Sequence, residues 1–205
     1  MKLLLFSDLH GDIAAARRIA ELARDGGADA VIGAGDFGNG RRGVGDCIPA
    51  LSEIAAPAVL VPGNNESFEE LQEPCRLWKG ATVLHGTGTV IGGTTFWGVG
   101  GGIPVTPFGD WSYDFAEDEA QILLAGCPAG AVLVAHSPPA GVVDVSSSGR
   151  HLGSEAVRDA VVRIQPRLVV CGHIHASGGQ TGILADVTIV NAGPAGVWFD
   201  LAALP

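Results

Sequence analysis

The sequence predicts an α/β fold with a largely parallel sheet. Short, strongly apolar runs alternate with longer stretches whose apolar residues recur at helical spacing, and this alternation is typical of βαβ units. In the middle of the chain, short β-type runs are separated by glycine pairs, which indicates a second sheet or an antiparallel extension of the first. A length of 205 residues fits one domain over 1–205, although two small domains are also compatible with it.

The first part of the chain is predicted to hold three strands, each followed by a helix. Asp12 is a suitable N-cap for the first helix and Gly26-Gly27 a suitable end for it. The predicted strands are Leu3–Phe6, Ala30–Ala34 and Ala58–Val61, and the predicted helices are Ile13–Arg24, Cys47–Ile54 and Phe68–Trp78. A glycine-rich loop is expected over Gly38–Gly45, before the second helix.

The middle of the chain is predicted to form an antiparallel meander of Thr82–Leu84, Thr89–Ile91 and Thr94–Val99. Beyond it, strands and helices alternate again, and two glycine-containing loops interrupt them, Gly100–Tyr113 and Gly141–Gly149. The predicted helices there are Ala116–Ala125 and Ser154–Ile164, and the predicted strands are Ala131–Ala135, Leu168–Cys171, Val187–Asn191 and Val197–Asp200.

Composition argues against several classes of partner. The net charge of −10 does not favour a surface that binds nucleic acid through charge, and it gives no membrane-surface signal. The apolar run after Lys2 stops after four residues, too short for a signal peptide, and no run of about 18 apolar residues is long enough to span a membrane. The four cysteines form no C-x-x-C pair, so we expect reduced thiols and a cytoplasmic protein.

Polar side chains with metal-binding groups follow five of the predicted strands. They are Asp8 and His10, then Asp36, then Asn64, then His136, and finally His173 and His175. Ligands of open α/β sheets bind beyond the carboxyl ends of the strands, so residues distant in sequence are expected to meet there. Four of the six histidines belong to this set, which makes an accidental arrangement of structural histidines a poor explanation.

The chemistry of these side chains predicts the kind of metal. Carboxylate and amide oxygens mixed with imidazole, without thiolate, suit Mn, Fe, Zn or Co, and we favour manganese. Seven ligands are about what two divalent ions need if water and substrate are to keep open positions. Glycines before Asp36, Asn64 and His173 allow the backbone to turn sharply and approach the ions.

The motifs together resemble a known family. The order Ser7-Asp8-Leu9-His10, Gly35-Asp36, Gly63-Asn64-Asn65-Glu66, His136-Ser137-Pro138-Pro139 and Gly172-His173-Ile174-His175 resembles the calcineurin-like metallophosphoesterase superfamily, in particular its small single-domain bacterial phosphodiesterases. The resemblance implies a four-layer α/β/β/α sandwich of two mixed sheets with the site at one sheet edge. It also implies that Asp36 bridges two ions, with Asp8, His10 and His175 on one and Asn64, His136 and His173 on the other.

The resemblance implies an enzyme that hydrolyses a small phosphate ester. Two-metal chemistry predicts that a water or hydroxide bridging the ions attacks phosphorus in line while both ions neutralise the phosphoryl charge. A phosphodiesterase is our first hypothesis. A phosphomonoesterase acting on a phosphoprotein or a nucleotide is the alternative, and a non-catalytic scaffold is the third, although a scaffold has no need of seven ligands. The oligomeric state is open.

Asn65 departs from the family pattern. A histidine that serves as a general acid or phosphate contact normally stands at this position. An amide cannot transfer a proton, but it can donate a hydrogen bond to a phosphoryl oxygen. We therefore treat Asn65 as a catalytic and substrate-binding candidate whose chemistry favours acidic leaving groups.

Several further residues are candidates with an equally simple structural explanation. His151 is a candidate for proton transfer or substrate contact, and Arg150 a candidate phosphate contact or a solvated surface residue. Glu66, which would orient the missing histidine, is expected to begin the next helix instead. Four aromatic residues near the glycine- and proline-rich loop are expected to serve packing rather than to form an aryl-binding wall; they are Trp97, Trp111, Tyr113 and Phe115.

Overall fold

The computed structural model describes residues 1–203 and contains two sheets and five α-helices. The strands are β1 (Lys2–Phe6), β2 (Ala30–Gly33), β3 (Ala58–Leu60), β4 (Ala81–Val83), β5 (Thr87–Ile91), β6 (Thr94–Val99), β7 (Val132–Ala135), β8 (Leu168–Cys171), β9 (Thr181–Leu184), β10 (Val187–Asn191) and β11 (Val197–Asp200). The helices are α1 (Ile13–Gly26), α2 (Val44–Leu51), α3 (Phe68–Cys75), α4 (Glu117–Leu124) and α5 (Glu155–Ile164), with short 3-10 turns at His175–Ser177 and Leu201–Ala203.

Both sheets are mixed. The first has the order β11-β1-β2-β3-β4, parallel except for β11 at its edge. The second has the order β5-β6-β7-β8-β10-β9, with antiparallel strands β5 and β9 at its two edges. The parallel strands of each sheet therefore end on the same side, as the sequence predicts.

The sheets pack face to face between two layers of helices, which is the predicted α/β/β/α sandwich. In β1, Leu3 and Leu5 enter the core between the sheets, while Leu4 and Phe6 point to the helices. One apolar core lies between the two sheets, and a further core lies between each sheet and its helices. Because both faces of each sheet are covered, the central strands are apolar on both faces. Helices α1, α2 and α3 cover the first sheet, and α4 and α5 cover the second.

The helix ends follow local capping chemistry. The Asp12 side chain accepts a hydrogen bond from the Ala15 backbone N–H (2.9 Å), and Gly27 ends α1 in the left-handed conformation, both as predicted. Ser67 and Glu70 form a capping box at the start of α3. Helix α3 ends at Cys75, earlier than predicted, because Pro74 lacks a backbone donor and the chain continues in tighter turns.

The predicted three-stranded meander is wrong. Strand β4 pairs in parallel with β3 at the edge of the first sheet, so only β5 and β6 form a hairpin. Helix α3 supplies the crossover that brings β4 back beside β3, and this long-range connection leaves no mark in the short β4 sequence. The turn at Gly92-Gly93 has two positive φ angles, which suits a tight hairpin.

Two further elements differ from the prediction. Strand β9 was not predicted from the sequence, because it is a short edge strand. The turn that follows it also has Ala185 and Asp186 at positive φ, where glycine would have indicated a hairpin. Helix α2 begins at Val44 rather than Cys47, because Gly43, in the left-handed conformation, ends the glycine-rich loop three residues earlier.

The cysteines are free and buried, as expected for reduced thiols. Within residues 1–203, no helix has the length and apolar character needed to cross a bilayer.

Candidate metal centre

Five loops meet beyond the carboxyl ends of β1, β2, β3, β7 and β8. The loops are joined by backbone hydrogen bonds, such as Asp8 N–H to the Gly35 carbonyl (2.9 Å) and Gly172 N–H to the His136 carbonyl (3.0 Å). All seven sequence-predicted ligands therefore lie around one point, where both sheets contribute loops. Glycine is required at Gly63, since a Cβ atom there would overlap the Asp36 carboxylate.

Four of the seven residues have left-handed backbone conformations. The φ angles are 57° for Asp8, 47° for His10, 59° for Asp36 and 67° for His173. Positive φ is uncommon outside glycine, and such strain concentrates at functional sites where the surrounding structure enforces it. The tight turns direct the side chains out of the strand ends and into one shared space.

One group of side chains ranges from the buried Asp8 to the exposed His175. We call Asp8, His10 and His175 the outer donor set. The Nε2 atoms of His10 and His175 lie 2.9 Å apart, and His10 Nε2 lies 3.6 Å from Asp36 Oδ2. Together with Asp36, these residues place one ligand atom each within 4.8 Å of one another, the arrangement of a metal-binding group.

A second group lies on the other side of Asp36. We call Asn64, His136 and His173 the inner donor set. Asn64 Oδ1 lies 3.3 Å from His136 Nε2 and 3.1 Å from His173 Nδ1. His136 Nε2 lies 3.6 Å from Asp36 Oδ1, so the two carboxylate oxygens of Asp36 face different donor sets.

The inner donor set is fixed by neighbouring groups. His136 Nδ1 lies 2.7 Å from the Ala34 carbonyl, so this nitrogen carries the proton and Nε2 keeps its lone pair for a ligand. Asn64 Nδ2 donates to Ser112 Oγ (3.0 Å), which turns Oδ1 toward the two histidines. Such supporting contacts orient metal ligands and set their tautomers.

The electrostatics fit cations. Burial and the nearby Asp8 charge raise the pKa of Asp36 to about 8. Burial, reinforced by the neighbouring histidines, lowers the pKa of His173 well below its usual value, which keeps its ring neutral and able to bind metal. A buried carboxylate beside another acid is costly without positive charge, and divalent ions among these oxygen and nitrogen donors would supply it.

Asn65 lies beside Asp36 and on the cleft wall. Its Nδ2 donates to Asp36 Oδ2 (2.8 Å), its backbone N–H donates to Asp36 Oδ1 (2.9 Å), and its Oδ1 accepts from Gly40 N–H (2.7 Å). These three bonds fix the amide and hold the carboxylate that both donor sets face. The amide nitrogen carries a second hydrogen, which can serve a substrate oxygen.

Glu66 does not begin a helix, contrary to the prediction. It is fully buried, and its carboxylate accepts hydrogen bonds from the backbone N–H groups of Phe37 (3.2 Å), Gly38 (3.0 Å) and Gly63 (2.7 Å). Burial and the neighbouring Asp36 raise the pKa of Glu66 to about 7. Glu66 satisfies donors from two loops at once, and this ties the Asp36 loop to the Asn64 loop.

A cleft of about 920 Å³ opens over the centre. Arg150 lines it, as its predicted role requires. His151 is exposed and is not among the cleft-lining residues; its Nδ1 lies 2.6 Å from Asp144 Oδ1. The catalytic role of His151 stays a prediction.

The four aromatic residues divide between packing and the cleft. Trp97 packs against the core of the second sheet, while Tyr113 and Phe115 pack around His85. Trp111 is different, because it lines the cleft together with Phe108, which the sequence reading did not single out. Trp111 packs against Phe108 and also lines the cleft, so both a packing and a binding role stay predictions for it.

The family model for the calcineurin-like phosphoesterases matches residues 1–177. The chain belongs to the calcineurin-like phosphoesterase family. Membership makes it a metal-dependent phosphoric ester hydrolase, and Asp8, His10, Asp36 and His175 form its metal-binding group. Among curated proteins, none matches the chain.

Solved structures agree on the calcineurin-like phosphoesterase fold. The protein TT1561 of Thermus thermophilus superposes with a TM-score of 0.80 at 22% identity, covering 100% of this chain and 96% of that one. A dimetal phosphatase from Danio rerio gives 0.64 at 12% identity, covering 95% and 88%. An archaeal phosphodiesterase gives 0.52 at 17% identity, covering 94% and 84%.

Some members of this phosphoesterase site carry no signal in the sequence. Ser112 contacts Asn64, and Asp114 contacts Ser112, yet both lie in an irregular loop far along the chain. Ser112 and Asp114 could be predicted as site residues only if the loop were already known to lie over the strand ends. Ser7, whose Oγ donates to Asp8 Oδ2 (2.5 Å), had the clearer signal of adjacency to a predicted ligand.

Proposed function

We propose that the protein is a phosphodiesterase that uses two divalent ions, with manganese favoured. The observation that carries the proposal is the position of Asp36, whose Oδ2 faces His10 at 3.6 Å while Oδ1 faces His136 at 3.6 Å. A carboxylate placed between two donor sets suits a bridge between two ions. The mixture of oxygen and imidazole donors without thiolate supports Mn, Fe, Zn or Co.

The proposed chemistry divides between the ions and the chain. When bound, the ions act as Lewis acids and activate water for in-line attack on phosphorus. The outer and inner donor sets hold them on either side of Asp36. Asn65 holds Asp36 and directs its second amide hydrogen to a phosphoryl oxygen, and Arg150 binds another from the cleft wall.

A diester suits the cleft better than a monoester. The cleft volume of about 920 Å³ leaves room for a substituent on each side of the phosphate. Because the Asn65 amide cannot donate a proton to a leaving oxygen, substrates with acidic leaving groups are favoured.

The test compares bis(para-nitrophenyl) phosphate with para-nitrophenyl phosphate, with Mn²⁺ and after chelation. We expect kcat/KM to be about tenfold or more higher for the diester, and activity to vanish on chelation. The Asp36→Ala variant, purified identically, controls for contaminating phosphatases. Faster turnover of the monoester would favour the phosphomonoesterase, and metal-loaded protein inactive on both would favour the scaffold.

A further inference from the structure

Exposed apolar side chains are concentrated at the mouth of the cleft. Val105, Phe108, Trp111 and Leu152 are all exposed, and all line the cavity that also contains His10 and Asp36. Single exposed apolar residues are ordinary, but a cluster in a concave site marks a place where a ligand removes them from water. The apolar wall is continuous with the metal centre, so the same ligand can reach both.

The wall has a flat aromatic face. The rings of Phe108 and Trp111 are stacked with their centroids 5.8 Å apart and their planes inclined by 19°. Two nearly parallel rings form a platform on which a third planar ring can stack. An aliphatic chain could bury apolar surface on this platform, but it could not form the face-to-face contact of a planar ring.

The loop that carries the platform is fixed to the metal centre. Asp114 accepts hydrogen bonds from Thr106 Oγ1 (2.6 Å), the Thr106 backbone N–H (2.8 Å) and Ser112 Oγ (2.8 Å). Tyr113 N–H donates to the Asn64 carbonyl (2.9 Å). On the other side, Arg41 Nη1 donates to the Trp111 carbonyl (3.3 Å).

These bonds give the platform a defined position relative to the ligands. Asn64 belongs to the inner donor set and also binds the loop through its backbone carbonyl and its side chain, to Tyr113 and Ser112. A binding surface that is ordered before the ligand arrives avoids the entropy of ordering it afterwards. The loop therefore acts as a preformed subsite rather than as a loose cover.

We propose that Phe108 and Trp111 form a subsite for a planar aromatic group, either an aryl ring or a nucleobase, attached to the phosphate of the substrate. The proposal rests on the proposed function and names its substrate class. Arg150, which lines the same cleft, binds the anion while the platform stacks on the ring. The net charge of −10 argues against a lipid surface as the partner of this apolar wall.

The experiment measures binding without turnover. Phosphonates are suitable because their carbon–phosphorus bond is not an ester and is not cleaved. Isothermal titration calorimetry on the Mn²⁺-loaded protein compares phenethylphosphonate, cyclohexylethylphosphonate and ethylphosphonate, which share one anion and differ in the attached group. An adenine nucleoside phosphonate is the fourth probe and separates a nucleobase from a simple aryl ring.

We expect the phenethyl compound to bind about tenfold more tightly than the ethyl and cyclohexylethyl compounds, the size of one stacking contact. Trp111→Ala and Phe108→Ala should remove this advantage and leave ethylphosphonate binding unchanged. Trp111→Leu keeps an apolar side chain without a π face and should also remove it. Ile122→Ala, at an exposed apolar residue of α4 that does not line the cleft, is the matched control and should change nothing.

Each outcome decides the proposal. Equal binding of the phenethyl, adenine and cyclohexylethyl compounds would reduce the subsite to a general apolar surface and overturn it. An aromatic advantage that survives both Trp111 variants would overturn it as well. Tighter binding of the adenine compound alone would support a nucleobase, and of both aromatic compounds an aryl ring in general.

The result is separate from the test of the proposed function. Phosphonate binding requires no hydrolysis, so the subsite can be present even if bis(para-nitrophenyl) phosphate is not cleaved. Conversely, a protein that cleaves this diester but shows no preference for aromatic phosphonates would keep the proposed function and lose the subsite.

Discussion

The two donor sets around Asp36 differ most at His175 and His136, in burial and in support. In the outer donor set the His175 side chain is 62% exposed, and the closest contact of His10 is with His175 itself. In the inner donor set the His136 side chain is 0% exposed and is held by the Ala34 carbonyl, while Asn64 is held by Ser112. For the proposed pair of ions, we therefore expect the inner donor set to hold its ion more tightly and the outer one to exchange its ion more readily.

Asp36→Ala is expected to have the largest effect, because Asp36 faces both donor sets. Metal content measured by inductively coupled plasma mass spectrometry should fall from two ions per chain to near zero, and diester hydrolysis should fall by about 10³-fold or more. Asp159→Ala, at an exposed carboxylate on α5, is the control. Retention of one full equivalent of metal in Asp36→Ala would contradict the bridging role.

His136→Ala and His175→Ala form the next pair and test the asymmetry directly. Stepwise chelation of the wild-type protein should release the two ions in separate phases. His175→Ala should remove the weakly held phase and leave the tightly held one, and His136→Ala should weaken the tight phase by about 100-fold. Melting curves distinguish loss of a metal ligand from loss of folding at the buried His136. Equal effects of the two variants on both phases would show that the two donor sets do not differ in metal affinity.

Asn65→Ala should act on both donor sets to a smaller degree. Its amide holds the Asp36 carboxylate at 2.8 Å, so its removal leaves every ligand in place but loosens the shared one. Loss of such a supporting contact typically reduces metal affinity about 10- to 100-fold. Chelator titration should show both phases weakened together; a change in only one would assign Asn65 to a single ion.

Ser112→Ala should have the smallest effect, confined to the inner donor set. The Ser112 hydroxyl accepts a hydrogen bond from Asn64 Nδ2. Without this bond, the Asn64 amide is less firmly oriented with Oδ1 toward the ion. We expect about tenfold weaker binding in the tight phase with the weak phase unchanged. Thr95→Ala, at a hydroxyl on β6 remote from the site, is the control. Unchanged affinity in both phases would show that Ser112 does not orient Asn64.

The seven candidate ligands could be predicted because their signal is local. Each follows an apolar strand within a few residues, and parallel strands of one sheet end on the same side, so the sequence groups the candidates of each sheet. The packing of the two sheets brings both groups together. The same reasoning predicted the five strands that precede the candidate ligands, β1, β2, β3, β7 and β8, and the caps of α1. It failed at β4, because pairing with β3 depends on a crossover of about twenty residues rather than on the three residues of the strand.

Residues that support the site escaped prediction for a related reason. Ser112 contacts the Asn64 side chain and Asp114 contacts Ser112, through a loop about fifty residues away that has neither periodicity nor a motif. Glu66 was placed wrongly because its position just before a helix suggested a role in starting it. In the structure its carboxylate satisfies backbone donors of two loops, which cannot be known before the loops are seen together.

The sequence by itself determined the class of fold, the candidate metal-binding side chains and the family, because these depend on short patterns repeated at strand ends. Only the tertiary structure decided the division into two donor sets on either side of Asp36, the support of Asn64 by Ser112, and the stacking of Phe108 and Trp111. The physical reason is that burial and hydrogen bonding are properties of neighbours in space. For an irregular loop packed over two sheets, those neighbours are chosen by the whole fold.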